Sequence, residues 1–339
     1  NRYIRNERLN VIQETIVHTG QHFDINMSDI FFEQMDIPRP QYHLNINGMS
    51  HGAMTGQMLE KIESIIIDVK PDCVLVYGDT NSTLAGALAA KKLHVKLAHV
   101  EAGLRSYNLK MPEEINRIVT DRISDYLFCP TEQAAENLNN EGFGLFNTKI
   151  IITGDVMYDA ALFYASQVKM PLIKLNEKFA LCTLHRAENT DDTCRLQSIL
   201  DALSIISNDC QIVMPLHPRT RNVIDSKKLK INKNIFVIEP LGYFEMLYLL
   251  KKCYVVMTDS GGLQKEAYFF KKPCLTMRDE TEWVELVRSK VNFLVGSNQE
   301  RIVHSYYGIA EKDLIFDKQF YGDGNAGKSI VEHIIKDLL

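Results

Sequence analysis

The segment YVVMTDSGGLQKEA, residues 254–267, carries the clearest indication of the architecture. Its first five residues are bulky or β-branched, which predicts a short strand buried on both faces. An SGG turn at 260–262 follows, and the pattern predicts a helix that opens on Leu263. A glycine pair lets the backbone turn sharply and approach a ligand, and a helix N-terminus attracts phosphate. The segment therefore predicts a phosphate site, and an ordinary turn with Asp259 or Ser260 as helix cap is the alternative.

The composition is that of a globular protein and excludes several functional classes. The chain has 339 residues, 45% hydrophobic and 24% charged, and a net charge of −5 that argues against a nucleic-acid partner. No apolar run approaches the roughly 18 residues that a membrane helix needs. The seven cysteines form no CxxC pair. They predict buried thiols in a reducing, cytoplasmic compartment, without disulfides or a metal site.

Strand-like and helix-like segments alternate along the whole chain, which predicts parallel sheets with helices on both faces. We expect an α/β protein with two Rossmann-like doubly wound domains that face a cleft. The first covers residues 1–157 and is completed by the C-terminal segment 318–339, and the second covers 158–317. The pattern is weak from Val156 to Leu175, which we interpret as the inter-domain region.

The N-terminus begins inside an expected helix over residues 1–8, and a second helix is expected around Met27 to Gln34. Because a domain of this class normally opens with a strand and a phosphate-facing loop, we expect both to lie upstream of Asn1.

Charged residues follow several predicted strands, where ligands bind in such sheets. A carboxylate at the end of an apolar strand has its pKa raised by desolvation, which suits acid/base chemistry near neutral pH. The alternative for each residue is a structural role, either as a helix cap or in an ion pair. For His185 it is a position in the core. The motifs are Asp79 after VLVYG, Glu101 after AHV, Glu113-Glu114 with Arg117, His185-Arg186 after FALCTL, and His217 with Arg219 in LHPRT.

Taken together, the chain resembles the non-hydrolysing bacterial UDP-N-acetylglucosamine 2-epimerases. The resemblance rests on eight motifs in family order, namely HTGQH (18–22), GDTNST (78–83), HVEAGLRS (99–106), MPEEINR (111–117), HRAEN (185–189), TDSGG (258–262), QKEA (264–267) and RDETE (278–282). It implies a fold like that of GT-B glycosyltransferases and a homodimer that binds a UDP-sugar. It also implies elimination of UDP to a glycal and re-addition, without a cofactor or a metal.

The resemblance assigns roles to individual residues. The catalytic candidates are Asp79, Glu101, Glu113 and His185. The candidates for binding UDP or substrate are Arg117, Arg186, His217, Ser260, Gly261, Gly262, Glu266 and Arg278, and Glu266 is expected to hold the ribose. His18, Gln21 and His22 are expected to form a regulatory loop.

Some positions depart from the family pattern, so the identity of the substrate sugar is left open. Trp283-Val284 stands where many members have arginine-proline, and Met246 where many have phenylalanine near the uracil pocket. The TEWVE segment resembles a branch with UDP-2,3-diacetamido-glucuronate 2-epimerases. We expect interconversion of UDP-GlcNAc and UDP-ManNAc for surface polysaccharide, with the modified sugar as the alternative. A GT-B glycosyltransferase or a non-catalytic UDP-sugar binder are rival hypotheses.

Overall fold

A computed structural model describes residue 4, residues 11–21, residue 32, residues 35–310 and residues 313–338. Apart from Ile4 and Phe32, the helices expected over 1–8 and around Met27 to Gln34 lie outside this part of the chain. The chain divides into two compact units, which are Asn1–Asp159 with Gln319–Leu339, and Ala160–Lys318. None of the described helices has the length and hydrophobicity to cross a membrane.

The first unit is built on a parallel four-stranded sheet of order β3-β4-β5-β6, with a separate parallel pair β1-β2. The strands are β1 (Val17–His18), β2 (Tyr42–His43), β3 (Cys73–Tyr77), β4 (Lys96–Val100), β5 (Tyr126–Cys129) and β6 (Lys149–Ile152). The helices are α1 (His51–Val69), α2 (Asn81–Lys92), α3 (Pro112–Ile123), α4 (Glu132–Asn140) and α5 (Val156–Tyr164), the last of which extends past the unit boundary.

Both faces of the four-stranded sheet are covered, because successive strand residues point to opposite sides. On one face Val76 and Leu97 pack with the apolar sides of α1 and α2. On the other face Ala98, Val100 and the β5 aromatic residues form a second cluster. Such double coverage explains why the strands read as continuous apolar runs.

The second unit contains a parallel six-stranded sheet of order β12-β11-β10-β7-β8-β9. The strands are β7 (Phe179–Thr183), β8 (Gln211–Pro215), β9 (Ile235–Ile238), β10 (Val255–Thr258), β11 (Cys274–Thr276) and β12 (Asn292–Leu294). The helices are α6 (Ala187–Thr190), α7 (Thr193–Ile206), α8 (Pro218–Ser226), α9 (Tyr243–Lys252), α10 (Gly261–Phe269), α11 (Val284–Arg288) and α12 (Gln299–Ile309). Alternate residues of β7 and β10 enter two separate cores, again one on each face.

The last helix, α13 (Ala326–Leu338), belongs to the first unit. Its Ile330 packs against the cluster of Ala98, Val100, Tyr126 and Phe128. The C-terminal segment therefore supplies part of the cover of the N-terminal sheet.

One helix start was predicted wrongly. Helix α10 begins at Gly261 rather than Leu263, with Ser260 as the cap. Helix α2 is capped by Thr80, because Thr80 and Thr83 exchange hydrogen bonds in a capping box.

The segment Val156 to Leu175 is not irregular throughout, since α5 occupies its first half. Helices α8, α11 and α12 were also missed. Helix α8 is a polar segment opened by proline, whereas α12 buries Ile302, Tyr306 and Ile309 at helical spacing.

A glycine after β4 is required where the chain passes helix α4. Gly103 has φ +80°, and a Cβ there would lie 2.3 Å from the carbonyl oxygen of Ala134. Gly142 also has a positive φ, +82°, but a Cβ there would meet nothing within 4 Å. The two positions therefore separate the cost of a clash from the cost of backbone conformation.

We expect Gly103→Ala to lower the free energy of unfolding by about 3 kcal/mol or more, because overpacking adds to backbone strain. Gly142→Ala is the matched control and should cost about 1–2 kcal/mol, from φ alone. Denaturant unfolding measures both. Equal losses in the two variants would contradict the predicted clash.

Candidate active site

Two neighbouring strands of the first unit end in carboxylates that lie close together. Glu101 follows β4 directly and has φ +72°, and Asp79 follows β3 after Gly78. A Cβ on Gly78 would lie 3.2 Å from Oε2 of Glu101, so the two turns are in contact. A non-glycine residue with positive φ is costly and is held only by well-determined surroundings.

Arg117 of helix α3 joins Asp79 to a second carboxylate. Its guanidinium forms an ion pair with Asp79, and Nη1 donates to Oε2 of Glu114 at 3.1 Å. The side chain is 3% exposed. Because a buried arginine needs partners to offset its desolvation, Asp79 and Glu114 fix its position.

The environment of Asp79 favours its protonated form. Burial raises the pKa of Asp79, Arg117 acts in the opposite direction, and the charges of Glu101 and Glu113 raise it again. The net shift is upward. The structure therefore brings Asp79, Glu101, Glu113 and Arg117 into one cluster, in which the pKa of Asp79 is raised.

Glu114 has a structural role that the sequence pattern did not reveal. It is fully buried and accepts hydrogen bonds from the backbone N–H groups of Ser106 and Tyr107, at 3.0 and 2.8 Å. The Ser106 hydroxyl donates to it at 2.9 Å. Glu114 therefore holds the loop after Glu101. Its spacing from Arg117, three residues along one helix, places both on the same face and was a usable signal.

In the second unit, His185 is supported by a buried aspartate. Its Nδ1 lies 3.3 Å from Oδ1 of Asp259, and the backbone N–H groups of His185 and Arg186 donate to the same carboxylate at 3.1 and 3.0 Å. Burial lowers the pKa of His185, and Asp259 opposes this, whereas the charges of Arg186 and His217 act with burial. The lowered pKa favours the neutral imidazole of His185, which lies within electrostatic range of Arg186 and His217.

The SGG turn has a packing function that the sequence did not reveal. Ser260 caps α10 by accepting from the N–H of Leu263 at 3.4 Å. A Cβ on Gly261 would lie 2.4 Å from Oε1 of Glu282, and 3.7 Å from Nη2 of Arg186. A side chain at position 261 would therefore have to displace the buried carboxylate of Glu282. Gly262 lies beside it in the first turn of the same helix.

The RDETE segment lies against this turn, and its Arg278 forms an ion pair with another residue of the same segment. Arg278 is 2% exposed, and its Nη1 donates to Oε2 of Glu282 at 2.9 Å. The indole N–H of Trp283 donates to the carbonyl oxygen of Gly261 at 2.9 Å. The Nζ of Lys265 lies 4.6 Å from the Trp283 ring centroid. Trp283 therefore connects this segment directly to the start of α10.

The ribose candidate Glu266 is buried and lies beside a tyrosine. Burial raises the pKa of Tyr243, and the charge of Glu266 and a hydrogen bond to its side chain raise it further. The phenol therefore stays protonated and donates a hydrogen bond that orients the Glu266 carboxylate.

Of the proposed regulatory loop, His22 lies outside the described residues. The ring of His18 packs against Phe32 and His43. The side-chain oxygen of Gln21 accepts from the backbone N–H and the hydroxyl of Ser82, at 3.1 and 3.0 Å. Ser82 belongs to the first turn of α2, so Gln21 contacts the turn that follows Asp79.

Comparison with known proteins gives one family. The family model for UDP-N-acetylglucosamine 2-epimerase matches residues 5–335. The chain is 57% identical to the UDP-2,3-diacetamido-2,3-dideoxy-D-glucuronate 2-epimerase of Pseudomonas aeruginosa, over 96% of this chain and 92% of that protein. It is 44% identical to a UDP-N-acetylglucosamine 2-epimerase of Methanocaldococcus jannaschii, over 93% and 89% of the two chains.

Solved structures agree with this grouping. The M. jannaschii UDP-GlcNAc 2-epimerase in complex with UDP-GlcNAc and UDP has a TM-score of 0.87 at 42% identity, covering 98% of this chain and 94% of that one. The Neisseria meningitidis enzyme bound to UDP-GlcNAc has the same TM-score at 34% identity, with the same coverage. The predicted α/β class with two GT-B-like, parallel-sheet units is confirmed. The chain belongs to the UDP-N-acetylglucosamine 2-epimerase family, whose members are isomerases.

Proposed function

We propose that this chain inverts C2 of a UDP-linked 2-acetamido sugar by eliminating and re-adding UDP. A base removes the C2 proton, the C1–O bond breaks, and its electron pair leaves with UDP while the C1–C2 double bond forms. UDP then adds back to C1 as a proton reaches C2 from the other face. The overall reaction consumes nothing, so no oxidant or reductant is needed.

The observation that carries this proposal is the carboxylate cluster of the first unit. Removing a weakly acidic C–H proton and returning one to the opposite face requires two proton-transfer groups. Asp79, Glu101 and Glu113 supply them, and the raised pKa of Asp79 lets it exist as an acid closer to neutral pH. Neither a glycosyltransferase nor a protein that only binds a UDP-sugar needs these three carboxylates.

We assign the stabilisation of the departing UDP to residues of the second unit. His185 presents an imidazole backed by Asp259, and an arriving diphosphate adds negative charge that favours its protonated, donating form. Arg186 lies near Gly261 at the start of α10, where a helix N-terminus favours anions. Together they stabilise charge on the leaving oxygen.

For the sugar, we favour UDP-2,3-diacetamido-2,3-dideoxy-D-glucuronate over UDP-GlcNAc. The support is the 57% identity to the P. aeruginosa enzyme, against 44% to the M. jannaschii enzyme. Trp283, whose indole binds the carbonyl of Gly261, marks the same branch in the sequence.

We also propose that the protein is a homodimer that acts in the cytoplasm, in the synthesis of surface polysaccharide. Support for the compartment comes from seven cysteines that are all free, five of them buried. Support for the dimer and for the pathway is the family alone.

Proton NMR of the protein with each UDP-sugar in D₂O tests the function. We expect deuterium at C2 of both epimers, without added cofactor, and kcat/KM at least about tenfold higher for the diacetamido-uronate, equivalent to roughly 1.4 kcal/mol. A preference for UDP-GlcNAc would reverse the substrate assignment. No exchange with either sugar, in protein that binds UDP, would contradict the epimerase proposal.

Glu101→Gln keeps the shape of the side chain and removes its charge. We expect turnover to fall by about 10³-fold or more, because proton transfer at C2 loses one partner. UDP affinity should stay within about threefold, since the expected UDP contacts lie in the second unit. Glu132→Gln, on the exposed first turn of α4, is the control. Retained activity in Glu101→Gln would remove this residue from the mechanism.

Glu266→Ala tests the ribose assignment. UDP binding, measured by calorimetry, should weaken by roughly 1–3 kcal/mol, because a hydrogen bond to a buried charged group is lost. Tyr243→Phe keeps the carboxylate and removes only its phenol partner, so its loss should be smaller. Unchanged UDP affinity in Glu266→Ala would place the nucleotide elsewhere.

A further inference from the structure

A histidine lies fully buried behind the carboxylate cluster. His99 is in β4, two residues before Glu101, and its side chain is 0% exposed. Its Nδ1 lies 2.7 Å from Oδ1 of Asp121, and its Nε2 lies 2.7 Å from the carbonyl oxygen of Gly78. Gly78 directly precedes Asp79, so the ring links helix α3 to the turn that carries this acid.

The partners of His99 decide its protonation. A backbone carbonyl only accepts hydrogen bonds. Asp121 also accepts from the N–H of Gly103 at 3.1 Å and from Nη1 of Arg105 at 2.6 Å. Burial acts to raise the pKa of Asp121, but His99 and Arg105 outweigh it and hold that pKa below its ordinary value. The N–H of Gly103 and the guanidinium of Arg105 already donate to Asp121, which marks it as an ionised acceptor, so both ring nitrogens of His99 face acceptors.

We propose that His99 is a fixed imidazolium and acts as a positioning residue for proton transfer. One N–H holds the carbonyl oxygen of Gly78 and thus the turn of Asp79, and the other holds Asp121, which also binds the loop after Glu101 through Gly103. The inference rests on the proposed function, because it assigns His99 a role through Asp79 and Glu101.

The charge of the ring also matters in this unit. The carboxylates of this connected network are Asp79, Glu101, Glu113, Glu114, Asp121 and Glu141, and its cations are Arg105, Arg117 and His99 itself. The Cys129 thiol near Asp121 has its pKa raised, first by burial, and stays neutral. Carboxylates are thus in excess, and loss of the imidazolium would raise the pKa of the remaining acids.

Two substitutions separate the two hydrogen bonds. An asparagine amide nitrogen falls near the position of Nδ1 and keeps the bond to Asp121, whereas a glutamine nitrogen falls near Nε2 and keeps the bond to Gly78. We expect kcat to fall about 100-fold in His99→Asn, because the Asp79 turn is released, and about tenfold in His99→Gln. In both variants the acid limb of the kcat–pH profile should move to higher pH. UDP affinity should stay within about threefold.

The control is His333→Gln on α13, whose ring bonds the carbonyl oxygen of Ser329 and packs near Phe128. It should leave kcat and the pH profile unchanged. A purely structural role for His99 would lower stability without moving the acid limb, and that result would overturn the proposal. So would a smaller loss of kcat in His99→Asn than in His99→Gln.

A second measurement does not require the variants to fold. In ¹⁵N-histidine NMR of the unmodified protein at pH 7, His99 should appear as the solvent-protected ring with protons on both nitrogens. A neutral tautomer would contradict the proposal. Because this test needs no turnover, it separates failure of this inference from failure of the epimerase proposal.

Discussion

The ion pairs of Arg117 are the interactions on which the first-unit site depends. A guanidinium that is only 3% exposed has lost most of its hydration, which costs several kcal/mol unless anions replace the water. Asp79, which follows strand β3, and Glu114, on helix α3, replace it by pairing with Nη2 and Nη1 of the guanidinium. The same contacts thereby position the Asp79 carboxyl group and the loop after Glu101.

In each unit, a buried carboxylate accepts hydrogen bonds from the backbone next to candidate site residues. In the first, Glu114 holds the backbone of Ser106 and Tyr107 through two N–H bonds. In the second, Asp259 holds the backbone of His185 and Arg186, which follow the neighbouring strand β7. Parallel strands end at one edge of a sheet, so Asp259 at the end of β10 reaches the end of the neighbouring β7 directly, whereas Glu114 reaches its loop from helix α3. Rigid support of this kind reduces the reorganisation that proton transfer requires.

The sequence predicted the strands and the strand-end acids because both follow from local patterns. Apolar runs such as Val255–Thr258 identify strands covered on both faces. Glu101 follows its strand directly, and Asp79 follows its strand after one glycine. It missed α8, whose polar sequence carries little periodicity, and α12, whose short apolar pattern falls in a segment rich in tyrosine and charge.

Partners that are distant along the chain could not be predicted from local patterns. The close packing at Gly261 comes from Glu282, 21 residues later, and the burial of Glu114 comes from a loop that precedes it. Arg278 is predicted to bind UDP or substrate, and the motif does not reveal the buried ion pair that it forms with Glu282. Motif resemblance identifies which residues matter, but only tertiary contacts separate those that reach a ligand from those that hold others in place.

Titration of the Asp79 carboxyl by ¹³C NMR, assigned with Asp79→Asn, examines the physical basis of this chemistry. Arg117 alone would lower the pKa of Asp79, whereas burial and the charges of Glu101 and Glu113 raise it. We predict a pKa above the ordinary aspartate value of about 3.9. A value below it would mean that the Arg117 ion pair dominates, that Asp79 stays ionised, and that it serves only to hold Arg117 in place.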